Sequence, residues 1–137
     1  MNIGSTCCSL FLLLLAFACQ KQDTPPVDRL GPTGILGEWV YQKTFLNGIQ
    51  DLSAPLNDHF MTLEPDEKPD DLQGRFHSHS PWHNNTGTFE LREAAQELVI
   101  QYDDKELRFG YALEANDLYL TREESGDTIT DSWKRVQ

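Results

Sequence analysis

At 137 residues the chain is the length of a single domain. Its 22 acidic and 11 basic side chains leave a formal charge of −11, which disfavours nucleic acid and adsorption to anionic lipid, so no nucleic-acid partner is expected. The acids are scattered, as on a soluble surface, and the one dense run, "EPDEKPDD" (64–71), lacks the spacing of a calcium loop. The chain opens on "MNIGSTCCSLFLLLLAFAC", in which residues 10–18 form an unbroken apolar block. That block falls well short of the roughly 20 residues that cross a bilayer. It has no polar face at helical spacing, so a buried amphipathic helix is disfavoured. Its length and small-residue ending predict an export signal over residues 1–18, although no Lys or Arg precedes Lys21.

The block ends in "LLAFAC", with Ala18 directly before Cys19 and Ala16 two residues earlier. This resembles the lipobox of bacterial lipoproteins. The resemblance implies cleavage before Cys19, acylation of that cysteine, and membrane lipid as a partner through the acyl chains, which together hold a protein stably at a membrane. Of the three cysteines, Cys7 and Cys8 leave with the leader and Cys19 carries lipid. The mature domain is therefore expected to hold together by its hydrophobic core, without a disulfide. Residues 19–34, "CQKQDTPPVDRLGPTG", are polar and proline-containing and read as an extended tether with a reach of about 45 Å.

From residue 35 the apolar period is two, with turn signals every eight to twelve residues, the pattern of an antiparallel barrel or sandwich. In "ILGEWVYQKTFL" (35–46), Ile35, Trp39, Tyr41 and Phe45 are expected on one face and Glu38, Gln42 and Thr44 on the other; Asn47-Gly48 is a tight-turn signal. "HFMTLE" (59–64) and "GRFHSH" (74–79) follow, the latter with Phe76 inward. "GTFELRE" (87–93) places Phe89 and Leu91 inward, "ELVIQY" (97–102) Leu98, Ile100 and Tyr102, and "ELRFGYAL" (106–113) Leu107, Phe109, Tyr111 and Leu113. "DLYLTR" (117–122) and "TITDSWKRV" (128–136) close the chain with Leu118, Leu120, Ile129 and Trp133. Residues 91–100 are the one place where a helical turn is expected instead of a plain hairpin. Eight short strands in this order predict an all-β, eight-stranded antiparallel up-and-down barrel over residues 35–137, closure removing the exposed sheet edges.

The acylated cysteine, the tether, "ILGEW" opening the first strand and the closing "WKRV" together resemble the bacterial lipocalin-like lipoproteins, over roughly residues 35–136. Gly37-Glu38-Trp39 matches the G-x-W that begins the first lipocalin strand. The resemblance implies that Trp39 closes one end of the barrel and that an arginine near the last strand lies across its indole, with Arg135 the positional candidate and Lys134 the alternative. It further implies lipid anchoring in the bacterial envelope, at the outer membrane, and a small apolar ligand inside. The T-D-Y-type stretch and the disulfide of ligand-carrying lipocalins are absent. The interior candidates for ligand contact are Trp39, Tyr41, Phe45, Phe89, Tyr102, Phe109, Tyr111 and Trp133. Aromatics this dense equally fit a barrel filled by its own side chains. Such a barrel would act through its surface, as an accessory subunit with an envelope protein partner.

No nucleophile elbow, phosphate loop or zinc-spaced pair of Cys and His occurs, so neither an enzyme nor a cofactor is expected. Asp127 and Asp131 flank the last strand and read as a turn acid and a solvent-facing acid. Three of the four histidines lie in "HSHSPWH" (77–83). His77 and His79 are two apart on one strand and share a face, the spacing at which two imidazoles can meet one metal. With Phe76 inward they are expected outside, beside Arg75, where a cation is disfavoured. His77, His79 and His83 are thus candidate ligands only for a minor surface site.

Overall fold

The computed structural model describes residues 34–54, 58–68 and 72–137. The leader, Cys19 and the tether up to residue 33 lie outside them. The strands are β1 (Gly37–Leu46), β2 (Ile49–Asp51), β3 (Phe60–Pro65), β4 (Gln73–Ser80), β5 (His83–Arg92), β6 (Glu97–Tyr102), β7 (Lys105–Glu114), β8 (Asp117–Glu124) and β9 (Asp127–Arg135). From β3 to β9 each pairs antiparallel with the next, β3 pairs with the first half of β1, and β9 returns to β1 along its length. β1 and β3–β9 thus form a closed eight-stranded up-and-down barrel. The three-residue β2 pairs only with Thr44–Leu46, where β3 no longer runs beside β1. It is a short arm that the sequence pattern does not announce.

Two-residue turns join most strands because the local residues accept the required backbone. Asn47 and Gly48, both at positive φ (49° and 81°), make the β1–β2 turn, whose twist matches that of the strands it joins. The expected helical turn falls at Glu93–Ala95, a single 3-10 turn between β5 and β6. Inward residues alternate as the period of two requires, and the buried core comprises Ile35, Trp39, Met61, Leu63, Phe76, Phe89, Leu91, Leu98, Ile100, Phe109, Leu118, Leu120 and Trp133. On the outer side Val99 is also buried, where its own strand carries Glu97 and Gln101 and the partner strands bear the bonded Glu90, Arg92, Glu106 and Arg108.

One end of the barrel is shut. Trp39 has no exposed surface, its Nε1–H donates to the Ile35 carbonyl oxygen at 3.0 Å, and the Arg135 guanidinium lies 4.2 Å above its ring. Arg135 also donates to the carbonyl oxygens of Leu36 and Gly34. Arg135, not Lys134, therefore covers the indole, and Lys134 is directed to Asp117. Gly37 stands here at φ 137°, and a Cβ on it would come within 2.6 Å of Arg135 Nη1, so glycine is needed for both backbone and space.

Two expectations are corrected in this frame. Tyr41 pairs with Trp133, but Lys43 pairs with Ser132 and Thr44 with Asp131, so one extra residue is accommodated in β1 as a bulge at Gln42. Beyond it the faces exchange. Thr44 turns inward to Asp131, while Phe45, placed inside by simple alternation, pairs with Thr130 on the outer face, under the Lys43 ammonium at 5.1 Å. Strict alternation would have put Lys43 between Tyr41 and Phe45 in the core, and the bulge removes that conflict. Asp131, read as solvent-facing, points inward from β9 as Trp133 does, two residues away.

Candidate functional site

Opposite the shut end the interior is not filled. A cavity of about 280 Å³ is lined by His59, Met61, Phe76, Ser78, His83, Asn85, Ile100, Tyr102, Leu107, Phe109, Leu120, Arg122, Asp131 and Trp133. Its lining runs from fully buried apolar residues such as Ile100 and Leu120 to the exposed His83 and to Leu107, 36% exposed, so it reaches the surface at this end. The apolar floor comes from alternate residues of β3, β4, β6, β7 and β8, and the polar rim from the same alternation carried two residues further.

At the rim two groups of polar side chains are held by named bonds. His59 Nε2 and Ser78 Oγ are 2.9 Å apart, and the His59 ring stands edge-on to Trp133 (4.9 Å) and to His83 (5.2 Å). Burial, more than the neighbouring His83 and His79, pushes the His59 imidazole below its ordinary 6.5, and Asp131 opposes this only in part. His59 is therefore neutral near neutral pH. Ser80 Oγ accepts the backbone N–H groups of Trp82 and His83, which leaves its proton to donate to His83 Nδ1 at 3.0 Å.

In the second group Thr44 Oγ1 donates to Asp131 Oδ1 at 2.5 Å, and Arg122 Nη1 donates to Asp131 Oδ2 at 2.9 Å. Because the Thr44 proton is committed to the carboxylate, Tyr41 must donate to Thr44 Oγ1 at 2.7 Å. Burial raises the Tyr41 phenol above its ordinary value, which keeps that proton in place. Both oxygens of Asp131 are thus occupied. Ser78 and His59 stand at the separation of a serine–histidine pair, but Asp131 does not orient the ring as a triad acid would.

Of the residues expected to meet a ligand, Tyr102, Phe109 and Trp133 line the cavity, and Tyr41 abuts it through the edge of Trp133 (5.6 Å). Trp39 and Phe89 are buried in the core and Tyr111 packs against it, none of them lining the cavity. Phe45 is outside. His77 and His79 share the outer face of β4, His77 along a groove with Arg75, Glu64 and Thr86. His83 does not join them, because the tight Pro81–Trp82 turn carries it to the cavity side, where it meets His59 instead. Among the described residues no group of three or more His, Cys, Asp or Glu is gathered to hold a metal ion. Asp127, expected as a turn acid, accepts from Asn47 Nδ2 at 2.8 Å beside the β8–β9 turn.

His59, Ser78, Asn85, Arg122 and Asp131 were not anticipated as a group. The available signal was that each sits at the same parity as a core residue of its own strand: His59 with Met61, Ser78 with Phe76, Arg122 with Leu120, Asp131 with Trp133. The site and fold define a class: a closed antiparallel eight-stranded barrel, shut at one end by a tryptophan under an arginine and open at the other into a small, mostly apolar cavity. No protein-family model matches the chain, and no curated protein matches it in sequence.

Proposed function

We propose that this chain is a lipid-anchored bacterial envelope protein of the lipocalin-like type, whose barrel binds a small apolar ligand and performs no catalysis. The observation that carries the reading is the cavity of about 280 Å³, with Met61, Phe76, Ile100, Phe109 and Leu120 as its floor and a hydrogen-bonded polar mouth. An apolar pocket with a few convergent polar groups is the usual form of a small-molecule site, and this one is at the small end of their range. The placing of Arg135 over Trp39 supports kinship with lipocalin-like barrels, and the "LLAFAC" leader supports acylation of Cys19 and anchoring at the outer membrane. Native mass spectrometry of the chain purified from its own membrane tests both parts. Diacyl or triacyl mass on Cys19 and a small apolar molecule released on unfolding are expected. An unacylated chain starting elsewhere than Cys19 would remove the anchor, and a consistently empty barrel that also ignores added naphthalene would remove the ligand.

A second reading is favoured by a separate observation. Ile49, Leu52 and Trp82 are 71–86% exposed, all in turns or arms at the open end. Such residues suit contact with an envelope protein partner, and the barrel would then act as an accessory subunit. Retention of the chain by its membrane complex after Trp82→Ser and Ile49→Ser would argue against it.

A further inference from the structure

Resting on that reading of the cavity, we infer that its occupancy is regulated by pH: an apolar ligand and a proton on His59 exclude each other, so the barrel holds its ligand at neutral pH and lets it go in acid. His59 and Ser78 both line the cavity, with His59 Nε2 and Ser78 Oγ 2.9 Å apart. Ser78 is 5% exposed, points inward in step with Phe76, and its hydroxyl has no other bond among the described residues. A buried hydroxyl needs an acceptor for its proton, so Ser78 donates and the neutral Nε2 accepts. Protonating the ring puts a hydrogen on that same Nε2 and turns the acceptor into a donor. The Ser78 proton must then turn elsewhere. Water in the cavity can take it, whereas an apolar ligand displaces the water and offers no acceptor.

The remaining neighbours of the ring offer little to offset this. Trp133 of β9 stands edge-on at 4.9 Å and Tyr41 of β1 lies at 6.3 Å, so aromatic surface covers the ring where an imidazolium needs water. His83 of β5 is 5.2 Å away and His79 of β4 is also near enough to act on it, and each repels a further positive charge when it is itself protonated. Asp131 of β9 favours the imidazolium, but its carboxylate already accepts from Thr44 and from Arg122 of β8, whose guanidinium offsets its charge. Burial outweighs these and holds the folded His59 below 6.5. A ligand beside the ring excludes more water and pushes it lower still. Affinity is therefore steady above pH 6.5 and weakens as the pH falls below the value of the free protein, by about tenfold per pH unit until the ligand-bound value is reached.

Naphthalene binding to the full-length chain, followed by calorimetry at about pH 7.5 and about pH 5.5 in two buffers of different ionisation enthalpy, tests this. At the lower pH the Kd is expected to be about fivefold weaker, with protons released to the buffer there and none at the higher pH. His59→Gln keeps an acceptor for Ser78 but cannot take up a proton, so its Kd should be the same at both pH values. If that variant does not fold, the wild-type His59 ring signals decide: followed by NMR, their titration midpoint should move to lower pH when naphthalene is present. A wild-type Kd that ignores pH, a pH dependence that survives in His59→Gln, or a midpoint that naphthalene leaves in place overturns the inference and leaves the cavity a ligand site. Binding at neither pH overturns the ligand-binding reading and the inference with it.

Discussion

Replacing Arg135 with Met keeps an apolar stem over Trp39 and removes everything else the guanidinium does. The lost contacts are a cation–π interaction at 4.2 Å and donation to two carbonyl oxygens, those of Leu36 and Gly34. The first is worth about 0.5–2 kcal/mol. The two charge-assisted bonds, at a half-buried side chain, add about 1–2 kcal/mol. The sum is about 3 kcal/mol, and for a domain of this size about 1 kcal/mol moves Tm by roughly 4–8 °C, so Arg135→Met should melt about 12–24 °C lower. Arg135→Lys keeps a charge near the ring but not the fork that spans both carbonyls, and should lose about half as much. Paired urea and thermal unfolding curves measure both. A Met variant within about 0.5 kcal/mol of wild type, or Lys and Met variants that unfold together, would refute the view that the guanidinium closes this end of the barrel.

Gly37→Ala meets the same closure from the other side: φ 137° is strained for alanine and its Cβ would strike Arg135 Nη1, so a loss of about 1–3 kcal/mol is expected by urea unfolding. Below pH 6.5 the unfolded chain binds a proton at His59 that the folded chain resists, so His59's contribution is complete above pH 6.5 and falls as the pH drops toward its lower folded value. His59→Gln should flatten that part of the stability–pH profile, and an unchanged slope would show that His59 is solvated. Leu120→Trp directs a larger ring into the cavity, where free volume offsets the usual strain of overpacking; stability within about 1 kcal/mol of wild type and loss of naphthalene binding are expected, read by unfolding and calorimetry.

Regular elements and isolated polar positions differed in how far the chain alone revealed them. The strands around Leu98, Ile100, Phe109 and Leu118 are written in clean alternation, since each buries one face and nothing in them interrupts the period of two. Trp39 and Arg135, 96 residues apart by their numbers, were paired from sequence through a resemblance to lipocalins, and they do meet. In β1 simple alternation holds to Tyr41 and fails at Phe45, because a bulge adds one residue and reverses every face after it. The rim was invisible for a related reason. A polar residue at a core parity looks like a solvent residue until the fold shows what lies opposite, and Asp131, inward by its parity with Trp133, is met there by Thr44 and Arg122.

The period of two, the turn residues and the apolar count dictate a meander of antiparallel strands with aromatic residues inside, because these are local properties of consecutive residues. Whether that interior is full or hollow is not local. It depends on where side chains from strands far apart in the chain meet across the barrel: the bulge sends Phe45 outside and Thr44 in, and small Ser78 faces the cavity beside His59. The tight turn at Pro81–Trp82 brings His83 back to the same mouth. Only the closed barrel sums those placements into a cavity of about 280 Å³.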